Sequence, residues 1–311
     1  MVDHAEVCFL LPTLNEAETI GDVIDGFHEA GFENVLVVDG DSSDETRSVA
    51  ESHGARVMIQ SGSGKGQAVR EAVETIEAPY VLMADGDGTY RPSDARAMLE
   101  PLFDGRAEHV IGNRFADMEP GAMTRLNAFG NRLINRLFSV IHGRYLSDIL
   151  SGYRAFTRES FERFRLDADG FGIETELAVE CVRQGIKTEV VPIRYEARPG
   201  HSETNLNPFR DGGRIVLTLY TLAKTNNPLF YFGSVASLGT AAGVGVGLFV
   251  GYRYFAHGVS HEVLALLSAF LILLSVQLLM FGVLSDILVS VTREQTRRLE
   301  EISERLREIE K

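Results

Sequence analysis

Apolar and polar positions in residues 1–112 switch repeatedly between two periods. Residues 7–11, 34–38, 56–59, 80–84 and 109–111 are short apolar runs with the length of buried strands. The stretches between them, 16–30, 44–53, 66–76 and 93–103, carry helical spacing. The first repeats its apolar residues at Ile20, Val23, Ile24 and Phe27. Strands alternating with helices in this way predict an α/β domain with a mostly parallel sheet and helices on both faces.

Residues 122–141 depart from this rhythm. Apolar residues recur at Leu126, Phe129, Leu133, Leu137, Val140 and Ile141, and Arg125, Arg132 and Arg136 share a face of the same helix. An apolar stripe beside a basic one fits a helix lying in a membrane interface, and equally a helix packed on the core with its arginines in water. Residues 206–224 predict a further helix. Beyond it, residues 225–252 and 263–285 contain no charged side chain. Roughly 20 apolar residues cross a bilayer, so these windows predict a transmembrane hairpin within residues 225–290, turning near 253–262. Gly239, Gly243, Gly247 and Gly251 recur every four residues on the first span. Such a smooth strip serves packing against the second span or formation of a homo-oligomer. Residues 291–311 predict a charged helix. Its six bases, against one in the turn between the spans, predict a multi-pass protein of the cell membrane with both termini and the N-terminal domain in the cytoplasm.

Composition narrows the partners. The net charge is −14, nearly all of it in residues 1–224. An acidic surface argues against nucleic acid, whose phosphates call for basic patches. Only four of the 30 bases are lysine. Acidity with few lysines suits a halophilic cytoplasm, where salt screens self-repulsion. Cys8 and Cys181 lie in apolar contexts and read as buried free thiols of a reducing compartment. The N-terminal residues include acids and no long apolar run, so no secretory signal is expected.

Three predicted strand ends carry polar clusters: Thr13-Leu14-Asn15-Glu16, the stretch from Asp39 to Asp44, and Asp85-Gly86-Asp87. Open α/β sheets bind ligands beyond the carboxyl ends of their strands, which makes these clusters the candidate site. Asp85 and Asp87 can converge on one hard cation. Mg2+ or Mn2+ held by such a pair keeps several waters and shares ligands with a substrate diphosphate. Asp39 offers a lone carboxylate that can accept hydrogen bonds from a base or ribose, since Ser43 or Asp44 better caps the next helix. Gly62-Ser63-Gly64-Lys65-Gly66 lacks the Ser or Thr of a P-loop. It is a helix entry that either touches phosphate or simply turns the chain.

Taken in order, Pro12-Thr13-Leu14-Asn15-Glu16, Val38-Asp39, Gly64-Lys65-Gly66, Asp85-Gly86-Asp87, Gly112-Asn113-Arg114 and Asp148 with Ser151-Gly152-Tyr153-Arg154 resemble the motifs of GT-A family 2 glycosyltransferases. Within that family the chain looks most like the dolichyl-phosphate mannose and glucose synthases, in particular the archaeal N-glycosylation branch. The resemblance spans residues 5–205 and implies a Rossmann-like GT-A domain over residues 1–205. It implies that Pro12, Leu14, Glu16, Asp39 and Lys65 hold a nucleotide sugar of the UDP-glucose or GDP-mannose type. Asp85-Gly86-Asp87 would hold the metal and diphosphate. Arg114, with Arg125 or Arg132, would bind dolichyl (polyprenyl) phosphate from the lipid bilayer. Arg198 would lie near the diphosphate or acceptor, in a closing loop around residues 200–202. Three positions depart from the family pattern: Thr89 where Gln is common, Glu203 where a base is common, and Leu14 where an aromatic residue is common.

The implied reaction is inverting, metal-dependent transfer of a hexose to the lipid phosphate. A phosphate monoester is mostly dianionic at neutral pH and is already a nucleophile. The enzyme then needs no general base, and Asp148 is better read as orienting arginines. Two other readings compete. Some family 2 enzymes use a non-lipid acceptor; the processive ones carry a Gln-x-x-Arg-Trp motif, and this chain has no tryptophan. A membrane-tethered nucleotide-sugar-binding protein without activity would not need both the carboxylate pair and the acceptor-side bases.

Overall fold

The computed structural model describes residues 4–166, 172–199 and 208–309. The chain divides into two compact units, Met1–Leu219 and Tyr220–Lys311. In the first, seven strands form one sheet: β1 (Val7–Thr13), β2 (Val35–Asp39), β3 (Arg56–Ile59), β4 (Tyr80–Met83), β5 (His109–Met118), β6 (Arg154–Thr157) and β7 (Thr188–Tyr195). Their order is β3-β2-β1-β4-β6-β5-β7. Every neighbouring pair is parallel except those of β6, which runs antiparallel to both β4 and β5.

The helices are α1 (Ile20–Glu29), α2 (Thr46–Ser52), α3 (Lys65–Thr75), α4 (Ala95–Phe103), α5 (Arg125–His142), α6 (Arg158–Glu162), α7 (Ile173–Arg183) and α8 (Pro208–Asn226), the last running across the division between the units. Successive side chains of a strand point to opposite faces, and β1 makes the consequence visible. Val7, Phe9 and Leu11 join a core with residues of α1 and α4, whereas Cys8 and Leu10 join a second core with α3 and α7. Both cysteines are free and buried, as their contexts predicted.

The five strands expected in residues 1–112 are all present, and four later elements (β6, α6, α7 and β7) join them. β5 is far longer than the apolar run that predicted it. It continues through Asn113 and Arg114 because β7 pairs with it on both sides of an irregularity between Asn113 and Asp117. α1 starts later than residue 16, because the chain first turns so that the Thr19 and Ile20 amides both donate to the Glu16 carbonyl.

The second unit contains α9 (Pro228–His257) and α10 (Glu262–Ile309). Both include segments long and apolar enough to cross a membrane, Pro228–His257 and Glu262–Thr292, with mean hydropathy 1.6 and 2.6. Asn227 caps α9, its side chain accepting from the Phe230 amide, and Gly258 closes it in the left-handed region at φ 67°. Arg253 is therefore helical, and the turn is shorter than the pattern predicted. The second span and the charged tail, expected as separate segments, form one helix. No Gly or Pro follows Gly282 to interrupt it.

The glycine strip has a definite use. A Cβ on Gly239 would lie 2.4 Å from Ser275 Oγ, one on Gly243 2.8 Å from Ile272, and one on Gly247 2.8 Å from Ser268 Oγ. The Ser268 hydroxyl donates to the Gly243 carbonyl at 2.7 Å. The strip thus packs α9 on α10 of the same chain, and the homo-oligomer expectation has no support left at these three positions.

Candidate active site

β1, β2 and β4 are parallel neighbours, so their carboxyl ends bring the three polar clusters together. The connecting loops are tightly tied. Asn15, at φ 56°, donates its amide to Ser42 Oγ and accepts from the Ser43 amide at 2.8 Å. Asp41 and Ser147 also have positive φ, 67° and 52°. Non-glycine residues in this region concentrate at functional sites, where surrounding structure offsets the strain. The cap of α2 differs from expectation: its N-cap residue is Glu45, which makes no side-chain cap hydrogen bond, and Asp44 just ahead of it accepts from the Thr46 amide at 3.0 Å.

Asp39 does not cap α2 either. Its Oδ1 accepts from the Ser42 amide at 2.9 Å and faces Arg47 at 3.5 Å, but its buried Oδ2 has no partner. Thr13 Oγ1 and Gln60 Oε1 are likewise buried and unpartnered. Thr13 pairs in register with Asp39, and Asp39 with Ile59, the residue before Gln60. Each buried unpaired polar group costs about 1–3 kcal/mol. Three on adjacent strand ends mark a place where ligand polar groups would relieve a standing penalty. Leu14, 47% exposed, lies beside Gly40 in the same place. Pro12 is buried opposite Val38 and shapes the strand end without presenting a polar group.

The Asp85-Gly86-Asp87 turn follows β4. Gly86 is required by close approach, since a Cβ there would lie 2.7 Å from Thr13 Cγ2. Its carbonyl accepts from the Thr19 hydroxyl at 2.7 Å, which fixes the turn to the start of α1. Gly152 allows the Asp85 carboxylate to lie against the backbone, where a Cβ would be 2.4 Å from Oδ2. Lys65, the first residue of α3, bridges Asp85 and Glu174. Burial pulls the Lys65 pKa down, but the two carboxylates outweigh it and hold the ammonium above its ordinary range. Arg198 donates to Asp87 Oδ2 at 2.8 Å and lies 3.9 Å from Glu16. Burial raises Glu16 to about 7; Arg198 opposes that shift, and Asp87 and Asp85 add to it.

Thr89 does not stand in for the larger Gln of the family pattern. Its amide and hydroxyl both donate to Asp87 Oδ1, at 3.1 and 2.6 Å, so it buttresses the carboxylate. Among the described residues no three His, Cys, Asp or Glu side chains converge as a metal site. Two hard carboxylates with a further acid nearby nevertheless fit a divalent cation that takes its remaining ligands from diphosphate and water.

Apart from the turn, Arg114 lies on β5 and is buried. Its Nε and one terminal nitrogen each donate to Asp148 at 2.8 Å, and that nitrogen also donates to Asn131 of α5 at 3.1 Å. Burial lowers the Arg114 pKa and Asp148 outweighs it, leaving a permanent cation. The Arg114 guanidinium lies 5.4 Å from the Tyr195 ring centre. Both Asp148 oxygens are occupied, which agrees with an orienting role and leaves little capacity for base chemistry. Arg125 and Arg132 are exposed on α5, Arg132 over the Phe115 ring at 5.5 Å. Residues 200–202 and Glu203 lie outside the described residues.

The Glycosyl transferase family 2 pattern matches residues 8–165. The chain belongs to that family. It is 64% identical over 297 residues to glycosyltransferase AglJ of Haloferax volcanii, covering 95% of this chain and 98% of that protein. It is 34% identical over 214 residues to a dolichyl-phosphate hexose transferase of the same organism, covering 68% and 90%. Among solved structures, glucosyl-3-phosphoglycerate synthase from Mycobacterium tuberculosis, with Mn2+ and uridine-diphosphate-glucose, matches with a TM-score of 0.58 and 22% identity over 70% of this chain and 79% of that one. The GT-A fold is thereby established, and the chain is a glycosyltransferase.

Two members of this cluster were not legible in the motifs. Glu174 opens α7, an element the sequence pattern did not reveal, and only folding brings it to Lys65. Gln60 follows β3 directly, and its strand-end position was the available signal.

Proposed function

We propose that the protein transfers a hexose, with inversion, from a nucleotide sugar to dolichyl or another polyprenyl phosphate. The carrying observation is the pairing of an acidic strand-end turn, Asp85-Gly86-Asp87, with the buried Arg114–Asp148 pair and the basic helix α5 beyond it. Two anions must meet in this reaction, and the arrangement supplies countercharge to both. The name of the dolichyl-phosphate hexose transferase supports the lipid-phosphate acceptor, and that of a second Haloferax relative, a low-salt glycan biosynthesis hexosyltransferase, supports hexose transfer.

In this reading the buried acceptors Asp39 and Gln60 take hydrogen bonds from the nucleobase or ribose, and Leu14 covers that group. Asp85 and Asp87 would hold Mg2+ or Mn2+, which would offset negative charge on the leaving diphosphate. Lys65 and Arg198, now on those carboxylates, would turn toward the diphosphate once a metal takes their place. Arg114, held flat by Asp148, faces the acceptor phosphate, and Arg125 or Arg132 adds to its field. The phosphate dianion attacks without a general base, so the residues act by positioning and electrostatic stabilisation. The two apolar helices anchor the enzyme, with the catalytic domain and both termini cytoplasmic. Its product would be a lipid-linked sugar for protein N-glycosylation in a halophilic archaeon.

The test is transfer by purified membranes, offering UDP-glucose, GDP-mannose and UDP-N-acetylglucosamine with dolichyl phosphate, with and without EDTA. One donor should give an acid-labile lipid-linked sugar, abolished by EDTA and restored by Mg2+ or Mn2+. Transfer only to soluble acceptors, or transfer untouched by EDTA, would overturn the proposal.

A further inference from the structure

Arg154 opens β6, and its side chain is fully buried. A buried guanidinium ordinarily meets a carboxylate, as Arg114 meets Asp148. Arg154 instead meets three backbone carbonyls and an imidazole. Its Nε donates to the Ser151 carbonyl at 3.0 Å, and one terminal nitrogen donates to both Ile149 at 2.7 Å and Glu174 at 2.8 Å. The other terminal nitrogen lies 3.1 Å from His109 Nε2. A guanidinium can only donate, so this imidazole nitrogen accepts, and His109 carries its proton on Nδ1. Burial, and then the charge of Arg154, push the His109 pKa well below its ordinary value, which keeps the ring a neutral acceptor.

The three carbonyls belong to two segments that carry site residues. Residues 147–152 form no helix or strand of their own. Within them Asp148 grips Arg114, and Gly152 leaves room for the Asp85 carboxylate. Asn135 and the Tyr90 hydroxyl accept the Ile149 and Gly152 amides, while Arg154 takes the Ile149 and Ser151 carbonyls. The second segment is the start of α7, where the N-cap Gly172 offers no side-chain cap. Glu174 there reaches Asp85 through Lys65. One nitrogen of Arg154 thus joins the segment that orients Arg114 to the segment that orients Lys65. Buried charge adds little stability even when paired, so stability alone is a weak reason for a cation here. A planar fork of five donors suits the geometry, and an ammonium on a flexible stem does not reproduce it.

We propose that Arg154 is a positioning residue of the transferase, fastening the Asp148 loop to the start of α7, with His109 as its fourth partner, so that Arg114 and Lys65 keep fixed places. The inference rests on the roles given to those two residues above.

The test uses the full chain in membranes, with whichever of UDP-glucose, GDP-mannose and UDP-N-acetylglucosamine serves as donor. It reads release of nucleoside diphosphate, so a failed acceptor assignment leaves the result readable. Arg154→Lys keeps the charge and loses the fork. Its kcat should fall about a hundredfold, the effect of roughly 1 Å of misplacement. The donor KM should stay near native, because the base-side pocket at Asp39 and Gln60 is untouched. His109→Leu removes one acceptor and should lower kcat less steeply. His109→Gln should recover most of that loss, since its amide oxygen can accept from Arg154. Near-UV circular dichroism and melting of the solubilised variants separate lost activity from lost folding. A folded Arg154→Lys that reacts at the native rate, with only its melting temperature lowered, would overturn the proposal. Where Arg154→Lys does not fold, the His109 pair decides, and equal rates for Leu and Gln would overturn it. Lys65→Met checks the reading beneath. A native rate there would overturn the role of Lys65 and this proposal together, whereas a slow Lys65→Met beside a native-rate Arg154→Lys would overturn this proposal alone.

Discussion

The strand-end turn and helix α5 are both strongly charged, but they handle charge in opposite ways. At Asp85 and Asp87 every carboxylate already has a cation, Lys65 on one and Arg198 on the other. On α5 the arginines are exposed and no acid shares the helix. Arg114 stands between the two cases, buried with its charge matched by Asp148. The difference teaches where ligand charge is expected. Compensated charge in a closed turn is a site whose resident cations can be exchanged or redirected. Uncompensated charge on an outward face awaits a partner of opposite sign.

The largest expected effect breaks the middle case. Asp148→Ala leaves the Arg114 guanidinium buried without its counter-ion, and losing one partner of a buried pair costs about 3–5 kcal/mol. Urea unfolding of the detergent-solubilised protein, followed by near-UV circular dichroism, should register that loss. A change under about 1 kcal/mol would mean that Arg114 reaches water and belongs with the exposed arginines.

Asp87→Ala attacks the compensated turn. It removes the partner of Thr89 and Arg198 together, and transfer should fall by about a hundred- to thousandfold, the range for losing one preorganised electrostatic contact. Full activity in a membrane transfer assay would show that the turn is structural only.

Gln60→Ala sharpens the distinction between turn and pocket. One net hydrogen bond is worth about 0.5–1.5 kcal/mol, so nucleoside diphosphate should bind up to about tenfold more weakly by calorimetry. Unchanged affinity would remove Gln60 from the base-side pocket.

The last prediction is a pH dependence. Folding raises Glu16 from its ordinary 4.5 to about 7. Between those values the folded state holds a proton that the unfolded state has released, so ligand-free stability should fall as pH rises through that window and level off above it. Glu16→Gln should flatten the slope in denaturation curves taken from pH 4 to 8. An unchanged slope would assign the pH dependence to another group.

Much of this was legible because it is local. An apolar run ending in Asp-Gly-Asp specifies a strand and a turn by itself. The role of Thr89 was not legible, since whether a short hydroxyl reaches a ligand or its own neighbouring carboxylate depends on rotamer and backbone. The stripe of α5 was readable as amphipathic but not as two stripes. Leu133 and Ile134 are adjacent in sequence, yet one is exposed and the other buried, because the fold chooses which arc of the helix meets the sheet.

The sequence by itself determined the alternating α/β order, the three acidic and polar strand ends, the family, and two helices long and apolar enough to span a membrane. Those features arise from periodicity and residue type within a few positions. Only the tertiary structure decided that Glu174 meets Lys65, that Asp148 grips Arg114, that the glycine strip faces α10, and that part of α5 is left uncovered. Each joins residues distant in sequence or distinguishes faces of one helix, and the packing of the folded chain, not local propensity, sets which side chains meet.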